Sequence, residues 1–199
     1  MLAALITPHL AKLHDNVTLE ITEAEDAAAL RELRLGHIDI AIVQEYPRDQ
    51  RQRDPRLEYT PIASDELRLL LLPSLPASTT LADPSGIPWL VNGTGTRCEA
   101  ATREILRGAG IEAEVTGDIS DNRLLLELVA AGHGATIVPN LVLGNIGALV
   151  TVAEQWLGIT RTLLAVTRQT PAPAAVTVVR TMTGDPRQWS VTAPDVQRR

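Results

Sequence analysis

Patterns typical of strands and of helices alternate along this chain, and that alternation constrains its fold more than any other feature. Val17–Ile21 alternates apolar and polar residues, Asp26–Leu35 is rich in Ala and Leu and ends at Gly36, and Ile38–Val43 is almost wholly apolar. A strand, a helix and a second strand in that order imply a right-handed parallel crossover. The sequence therefore predicts an α/β fold.

A second group of alternating elements follows a charged segment at residues 46–55, which is predicted to be a solvated loop. Two long connections, around Leu72 and around Ile159, could carry the chain from one lobe to another and back. Ligands of such folds bind beyond the carboxyl ends of strands and in clefts between lobes. The further predicted strands are Leu67–Leu72, Trp89–Val91, Ala113–Val115, Ala135–Val138, Leu149–Val152 and Thr162–Val166, and the further helices are residues 2–13, 97–107, Asn122–Ala131 and Ala174–Thr181.

Composition excludes several classes of protein. The 199 residues are enough for one domain or two small lobes with a core, and 45% hydrophobic residues exclude wholesale disorder. A net charge of −6 argues against a nucleic-acid surface, and 3% aromatic residues without Phe argue against a platform for stacking bases. No secretion signal and no apolar run long enough for a bilayer are found. We therefore expect a cytoplasmic protein with no membrane partner.

No arrangement of residues points to catalysis, a metal or a cofactor. The sequence has no G-x-S-x-G elbow, no Walker loop and no dinucleotide-binding fingerprint. His9 and His14 are spaced five apart, unlike a metal-binding pair on one helix face, while His37 and His133 lie beside glycines. The single cysteine, Cys98, can form no internal disulfide and is predicted to be buried or inert. We expect no catalytic residues, no metal site and no cofactor.

The loop before the predicted helix at 97–107 is the first candidate for a ligand site. Thr96 and Glu99 fit a capping box, in which Thr96 caps the helix and Glu99 reaches back to the Thr96 amide. Gly93 and Gly95 would let backbone N–H groups face an anion at the helix N-terminus. A carboxylate clamp and an ordinary capped helix both fit this pattern.

Other polar residues follow strands or begin helices. Asp26 and Asp121, the latter beside Asn122, are predicted to be helix caps first and ligand groups second. Gln44 follows a buried strand and can both donate and accept hydrogen bonds. We predict that one pocket between the lobes is lined by Gln44, Asn92, Thr94, Thr96 and Asp121.

Two segments resemble the LysR-type transcriptional regulators. Leu33–Val43 resembles their L-x-x-G-x-L-D-L-A-I segment, and Leu125–Pro139 resembles their L-V-A-A-G-x-G-I-x-x-L-P segment. Leu67–Pro73, the Asn92–Thr96 loop and Ile105–Ile111 lie between them in the order and spacing of the family. The resemblance covers most of the chain from residue 2 to residue 166.

The resemblance implies the effector-binding (substrate-binding) domain of such a regulator, with a two-lobe fold similar to type 2 periplasmic binding proteins. Lobe I would comprise residues 1–71 and 161–199, and lobe II residues 72–160. A small-molecule effector would favour one angle between the lobes, and a homodimer would pass on that preference. The alternative is a solute-binding protein or an enzyme on the same fold. The implied effector-binding residues are Asp26, Gln44, Asn92, Gly93, Thr94, Thr96 and Asp121.

The sequence departs from a complete regulator of this family in two respects. The helix-turn-helix domain through which such a regulator contacts DNA is not found, and neither is the first strand of lobe I. The apolar residues of the predicted first helix, among them Leu2 and Leu10, would lie at the dimer contact. We expect lobe I to be less stable than it would be with the missing strand, because neighbouring backbone groups would lose their partners.

Overall fold

The fold is described from a computed structural model, which describes residues 17–47, 52–82, 86–144 and 150–183. The predicted first helix, with its dimer contact, lies outside these residues. The chain divides into two compact units, one of them continuous, Glu66–Thr160. The other consists of the described residues on either side of it, up to Asp65 and from Arg161 onward.

Twelve elements are defined within the described residues. In chain order they are α1 (Asp26–Leu35), β1 (Ala41–Glu45), β2 (Leu57–Leu71), β3 (Trp89–Val91), α2 (Arg97–Gly108), β4 (Val115–Asp118), α3 (Asn122–Ala130), β5 (Thr136–Pro139), α4 (Asn140–Leu143), β6 (Thr151–Val152), β7 (Thr160–Arg168) and α5 (Pro173–Thr183).

The discontinuous unit is built on β1, β7 and the first part of β2, with β7 between the other two strands. β1 pairs with β7 antiparallel, from Ala41 opposite Val166 to Glu45 opposite Thr162. α1 ends at Gly36, whose φ of +81° suits glycine and ends the helix as predicted. The core beneath α1 consists of Leu30, Leu33, Ala41, Val43, Leu57, Leu164 and Val166.

The continuous unit contains the rest of β2, which pairs antiparallel with β5 and with β6. β3 and β4 form a separate parallel pair, in which Trp89 lies opposite Val115 and Val91 opposite Asp118. α2 contacts β5, and α3 contributes the apolar side chains of Leu125, Leu126 and Val129 to the core. That core consists of Leu70, Leu90, Leu125, Leu126, Val129, Val138, Leu143 and Val150.

The predicted strand at Val17–Ile21, and with it the predicted parallel crossover, is wrong. These residues have no regular secondary structure, and Ile21 is 70% exposed. β1 instead has an antiparallel partner, β7, from the far end of the chain. Alternation assigns side chains to two faces, but a strand also needs a neighbour to bind its backbone groups, and the sequence alone does not supply one.

Most of the remaining elements follow the sequence with shifts at their ends, but the strand predicted at Ala113–Val115 shares only Val115 with β4. The helices predicted at 97–107, Asn122–Ala131 and Ala174–Thr181 are α2, α3 and α5, each displaced by at most two residues. The strand predicted at Leu67–Leu72 is the last part of β2, which begins ten residues earlier at Leu57. Pro61 and the charged pair Asp65 and Glu66 interrupt the apolar pattern and conceal that length. The short helix α4 was not predicted.

Candidate functional site

The polar loops of the continuous unit meet at one edge of the β3–β4 pair. Because β3 and β4 are parallel, the segments after both strands leave from the same edge. Asn92 Nδ2, after β3, donates to Asn122 Oδ1 at the start of α3, at 2.7 Å. The backbone N–H of Thr94 donates to Asp118 Oδ1 at 2.7 Å. The two segments therefore form one polar surface.

Thr96 fixes the end of this loop on α2. Its hydroxyl accepts from the backbone N–H of Glu99 at 3.2 Å and donates to the carbonyl of Asn92 at 2.6 Å. Thr96 is thus the predicted N-cap. The second half of the predicted capping box is wrong, because the Thr96 N–H donates to the carbonyl of Gly93 at 3.1 Å and the Glu99 carboxylate pairs with Arg103.

Gly93 is required by both conformation and space. Its φ is +62°, and an added Cβ would lie 3.1 Å from Thr96 Cγ2 and 3.7 Å from the Ser120 backbone. Gly95 also has a positive φ, of 83°, but faces open space. The Thr94 N–H already donates to Asp118 Oδ1, so a ligand carboxylate could use that N–H only by displacing Asp118.

Asp121 is the N-cap of α3, as the sequence predicts. Its Oδ1 accepts from the backbone N–H groups of Arg123 at 2.8 Å and Leu124 at 3.0 Å. One carboxylate oxygen thereby satisfies two donors that the first turn of a helix leaves open.

The discontinuous unit brings Asp26 and Gln44 together. The prediction that Asp26 caps α1 is wrong: Glu25 is the N-cap and makes no side-chain cap bond, while Asp26 is the first helical residue. Asp26 Oδ2 instead accepts from the backbone N–H of Gln44 at 3.3 Å. The carboxylate therefore connects the start of α1 to the end of β1.

Gln44 belongs to a buried polar network that sequence reasoning missed. Its Oε1 accepts from Arg161 Nη1 at 2.6 Å and from the Tyr46 hydroxyl at 3.4 Å. Arg161 is fully buried and pairs with the buried carboxylate of Asp65. The sequence offers no signal that singles out this pair, because β2 and β7 carry other charged residues besides Asp65 and Arg161. Charged residues are seldom buried without a partner.

The predicted site residues thus fall into two groups, one on each unit. Asp26 and Gln44 are adjacent in the discontinuous unit, and Asn92, Gly93, Thr94, Thr96 and Asp121 are adjacent in the continuous one. That both groups line one pocket stays a prediction.

In the continuous unit, Arg68 Nε is buried and has no hydrogen-bond partner among the described residues.

A separate depression of about 420 Å³ lies in the discontinuous unit, and no predicted site residue lines it. Its guanidinium groups are engaged: Arg56 and Arg34 with Asp54, and Arg168 with Asp39. The hydrogen bonds from the Arg56 side chain, above all, hold the pKa of Asp54 well below its usual range. The lining residues are Arg34, Pro55, Arg56, Leu57, Arg168, Gln169 and Thr170.

Within residues 17–47, 52–82, 86–144 and 150–183, no group of three or more His, Cys, Asp or Glu side chains could hold a metal ion. None of the helices described there is long and apolar enough to cross a membrane. Cys98 is a free, buried cysteine on α2, as the sequence predicts.

Fold and sequence together identify the class of protein. The family model of the LysR substrate binding domain matches residues 2–185. The chain belongs to this family, whose members are the effector-binding, sensory domains of LysR-type transcriptional regulators, and it has their two-lobe periplasmic-binding-protein-like fold.

Several solved structures share this fold. The regulatory domain of HypT from Salmonella typhimurium aligns with a TM-score of 0.73 and 17% identity over 92% of this chain and 90% of that one. The C-terminal domain of a probable LysR family transcriptional regulator from Rhodococcus sp. RHA1 aligns with a TM-score of 0.72 and 21% identity over 92% of each chain. The effector binding domain of QuiR, in complex with shikimate, gives 0.68 and 14% over 94% of this chain and 91% of that one.

A curated protein, the phosphonates import ATP-binding protein PhnC of Anaeromyxobacter dehalogenans, is 26% identical over 174 residues. The match covers 83% of this chain, which spans 34% of the length of that protein. A Walker loop needs a lysine directly after a glycine, and the single lysine of this sequence, Lys12, follows an alanine.

Proposed function

We propose that this chain binds a small hydroxylated carboxylate as its effector, between a lobe of residues 1–71 and 161–199 and a lobe of residues 72–160. Asp26 and Gln44 would contact it from lobe I. From lobe II the contacts would come from Asn92, Gly93, Thr94, Thr96 and Asp121. The observation that carries the proposal is the polar surface formed where the segments after β3 and β4 meet. Ligands of α/β folds bind at such strand ends.

The chemistry of these residues supports a ligand with several hydroxyl groups and one negative charge. Amide and hydroxyl groups predominate among the lobe II residues, and Gln44 adds an amide from lobe I. The carboxylates of Asp26, Asp118 and Asp121 disfavour a polyanion by repulsion. Shikimate, the ligand in complex with the QuiR domain, has this composition.

Effector binding would act by changing populations rather than by chemistry. A ligand that binds one angle between the lobes more tightly shifts the equilibrium by its difference in affinity for the two states. A homodimer would transmit the shift, and DNA would be contacted only through a helix-turn-helix domain. We propose no enzymatic reaction for this domain.

Calorimetric titration with shikimate, followed by related hydroxylated carboxylates, tests the proposal. Binding should be weakened in Asn92→Ala, which removes the amide that joins the two segments. Gln169→Ala should leave binding unchanged, because Gln169 lies in the separate depression. Equal loss of affinity in both variants, or an unchanged affinity in Asn92→Ala, would contradict the proposed site.

A further inference from the structure

We propose that Arg161 is a positioning residue for Gln44: it holds the side-chain carbonyl oxygen of Gln44, so that Gln44 offers only N–H donors to the effector. The site would thereby select an effector with a carboxylate or carbonyl oxygen at this point and reject one with an ammonium group. The inference rests on the proposed function, since it assigns a role to one of its residues.

The orientation of the Gln44 amide follows from the partners of its oxygen. A guanidinium group is only a donor, so the atom of Gln44 that lies 2.6 Å from Arg161 Nη1 must be the acceptor, Oε1. The reversed amide would place Nε2 against Nη1, donor against donor. The Tyr46 hydroxyl, at 3.4 Å from the same oxygen, adds a second donor that favours this orientation.

Arg161 cannot follow a rotating amide, because its guanidinium is itself fixed. It is 0% exposed, and its Nε and Nη2 both donate to Asp65 Oδ2, at 2.9 and 2.6 Å. The charge on both partners shortens and strengthens such bonds. One edge of the guanidinium thus holds Asp65, and the remaining nitrogen, Nη1, holds Gln44.

The main chain of Gln44 is held as well, though by a longer bond of 3.3 Å. Gln44 lies opposite Leu163 in the β1–β7 pairing, and its N–H donates to Asp26 Oδ2. None of the hydrogen bonds that Gln44 makes with the described residues uses Nε2. Its two N–H groups are therefore the part of the side chain that can serve a ligand, and a preoriented donor favours an acceptor over another donor.

The orientation can be tested first without any ligand. In nuclear magnetic resonance spectra, rotation about the Cδ–Nε2 bond of Gln44 should be slower in the wild type than in a free amide, because hydrogen bonds to Oε1 strengthen the double-bond character of that bond. Arg161→Met should remove this slowing, and Arg161→Lys, which keeps a donor, should restore part of it. If Arg161→Met does not fold, Tyr46→Phe and Arg161→Lys provide the graded comparison. A Gln44 amide that rotates as fast as a free amide in the wild type, or at the same rate in every variant, would overturn the inference.

Selection is tested with two probes of matched size, sodium benzoate and benzylammonium chloride. Benzoate should shift the Gln44 amide resonances and benzylammonium should not, and Gln44→Glu, which exchanges the donors for acceptors, should reverse that preference. Arg161→Lys should weaken benzoate binding roughly tenfold, the equivalent of about 1.4 kcal/mol. Benzoate binding that shifts residues 92–96 but never Gln44 would overturn the inference and leave the proposed function intact. A failure of every carboxylate at residues 92–96 would instead contradict the proposed function, while the ligand-free result still decides the role of Arg161.

Discussion

Arg161 and Asp65, which are 96 residues apart in the sequence, form a fully buried ion pair in which one oxygen, Asp65 Oδ2, accepts from both Nε and Nη2 of Arg161. The pair joins neighbouring strands of the sheet, β2 and β7. Each residue borders the continuous unit, Asp65 before its first residue and Arg161 after its last. A buried charge depends on its partner, so this pair makes the two chain segments depend on each other.

Breaking this pair should destabilise the protein strongly. Asp65→Leu leaves the buried Arg161 charge without its carboxylate, and the free energy of unfolding should fall by about 3–5 kcal/mol. The double variant Asp65→Leu/Arg161→Met should regain much of the loss, because it removes both charges. Urea denaturation measures both. Arg123→Gln, which breaks an exposed pair with Glu127, is the control and should leave the midpoint unchanged. A loss in Asp65→Leu no larger than in the control would contradict this prediction.

The contribution of the α3 cap to the free energy of unfolding should also be measurable by urea denaturation. Asp121→Ala removes the acceptor of two backbone N–H groups and should cost about 0.5–2 kcal/mol of unfolding free energy. Asp121→Asn keeps an oxygen acceptor and should retain most of the stability. If both variants lost the same amount, the charge of Asp121 rather than its hydrogen bonds would be what stabilises the helix.

Gly134 should not tolerate a side chain. A Cβ there would lie 2.8 Å from the carbonyl oxygen of Pro88, a backbone atom that also accepts from the Ala135 N–H. Gly134→Ala should therefore cost on the order of 1–3 kcal/mol, as overpacking does. Gly108→Ala, at the end of α2 with open space around it, is the matched control and should be neutral or slightly stabilising. Thermal melting measures both variants, and equal melting temperatures for Gly134→Ala and Gly108→Ala would contradict the prediction.

The pKa of Asp54 gives a prediction for acid conditions. Arg56 lowers this pKa, with a smaller contribution from Arg34, so the folded state favours the carboxylate. The stability that Asp54 contributes is present above its unfolded pKa of about 3.9 and is lost as the pH falls below that value toward the folded pKa. Asp54→Asn should therefore flatten the dependence of stability on pH below about pH 4.

Arg56→Gln tests whether the Arg56 side chain is what lowers the pKa of Asp54. It removes the largest contribution and should raise the pKa of Asp54 toward its ordinary value, as carbon-13 titration of the carboxyl group would record. An unchanged pKa would mean that Arg34 or the backbone, rather than the Arg56 side chain, sets the shift.

Several local features of the fold could be predicted from the sequence because their causes are local, although the cap at Asp26 and the Glu99 half of the capping box were not among them. Thr96, Asp121 and Gly36 end or begin helices through bonds to residues within four positions, and all three were predicted. The strand predicted at Val17–Ile21 was wrong because strand formation depends on a partner that the pattern does not contain. The length of β2 was missed because Pro61 interrupts its apolar run.

Prediction of the candidate site from the sequence is limited for the same reason. The sequence identified Gln44 from its position after a strand, but not what holds it. Arg161, which donates to the side-chain oxygen of Gln44, lies 117 residues after Gln44 in the sequence. Asp65, whose carboxylate fixes Arg161, lies 96 residues before Arg161. A pairing over such distances depends on the register of β1, β2 and β7, which no short pattern encodes.

One unit is interrupted in the sequence by the whole of the other, which suggests where the coding sequence could be divided. The continuous unit begins and ends at residues that lie together, since the Leu67 N–H donates to the carbonyl of Ile159 at 3.0 Å. The other unit is interrupted between Asp65 and Arg161, which are also in direct contact. Segments whose ends adjoin are those that tolerate excision and rejoining. We therefore expect that residues 66–160 can be excised as one segment and the flanking sequences rejoined by a short linker, although the cut divides strand β2 between Asp65 and Glu66.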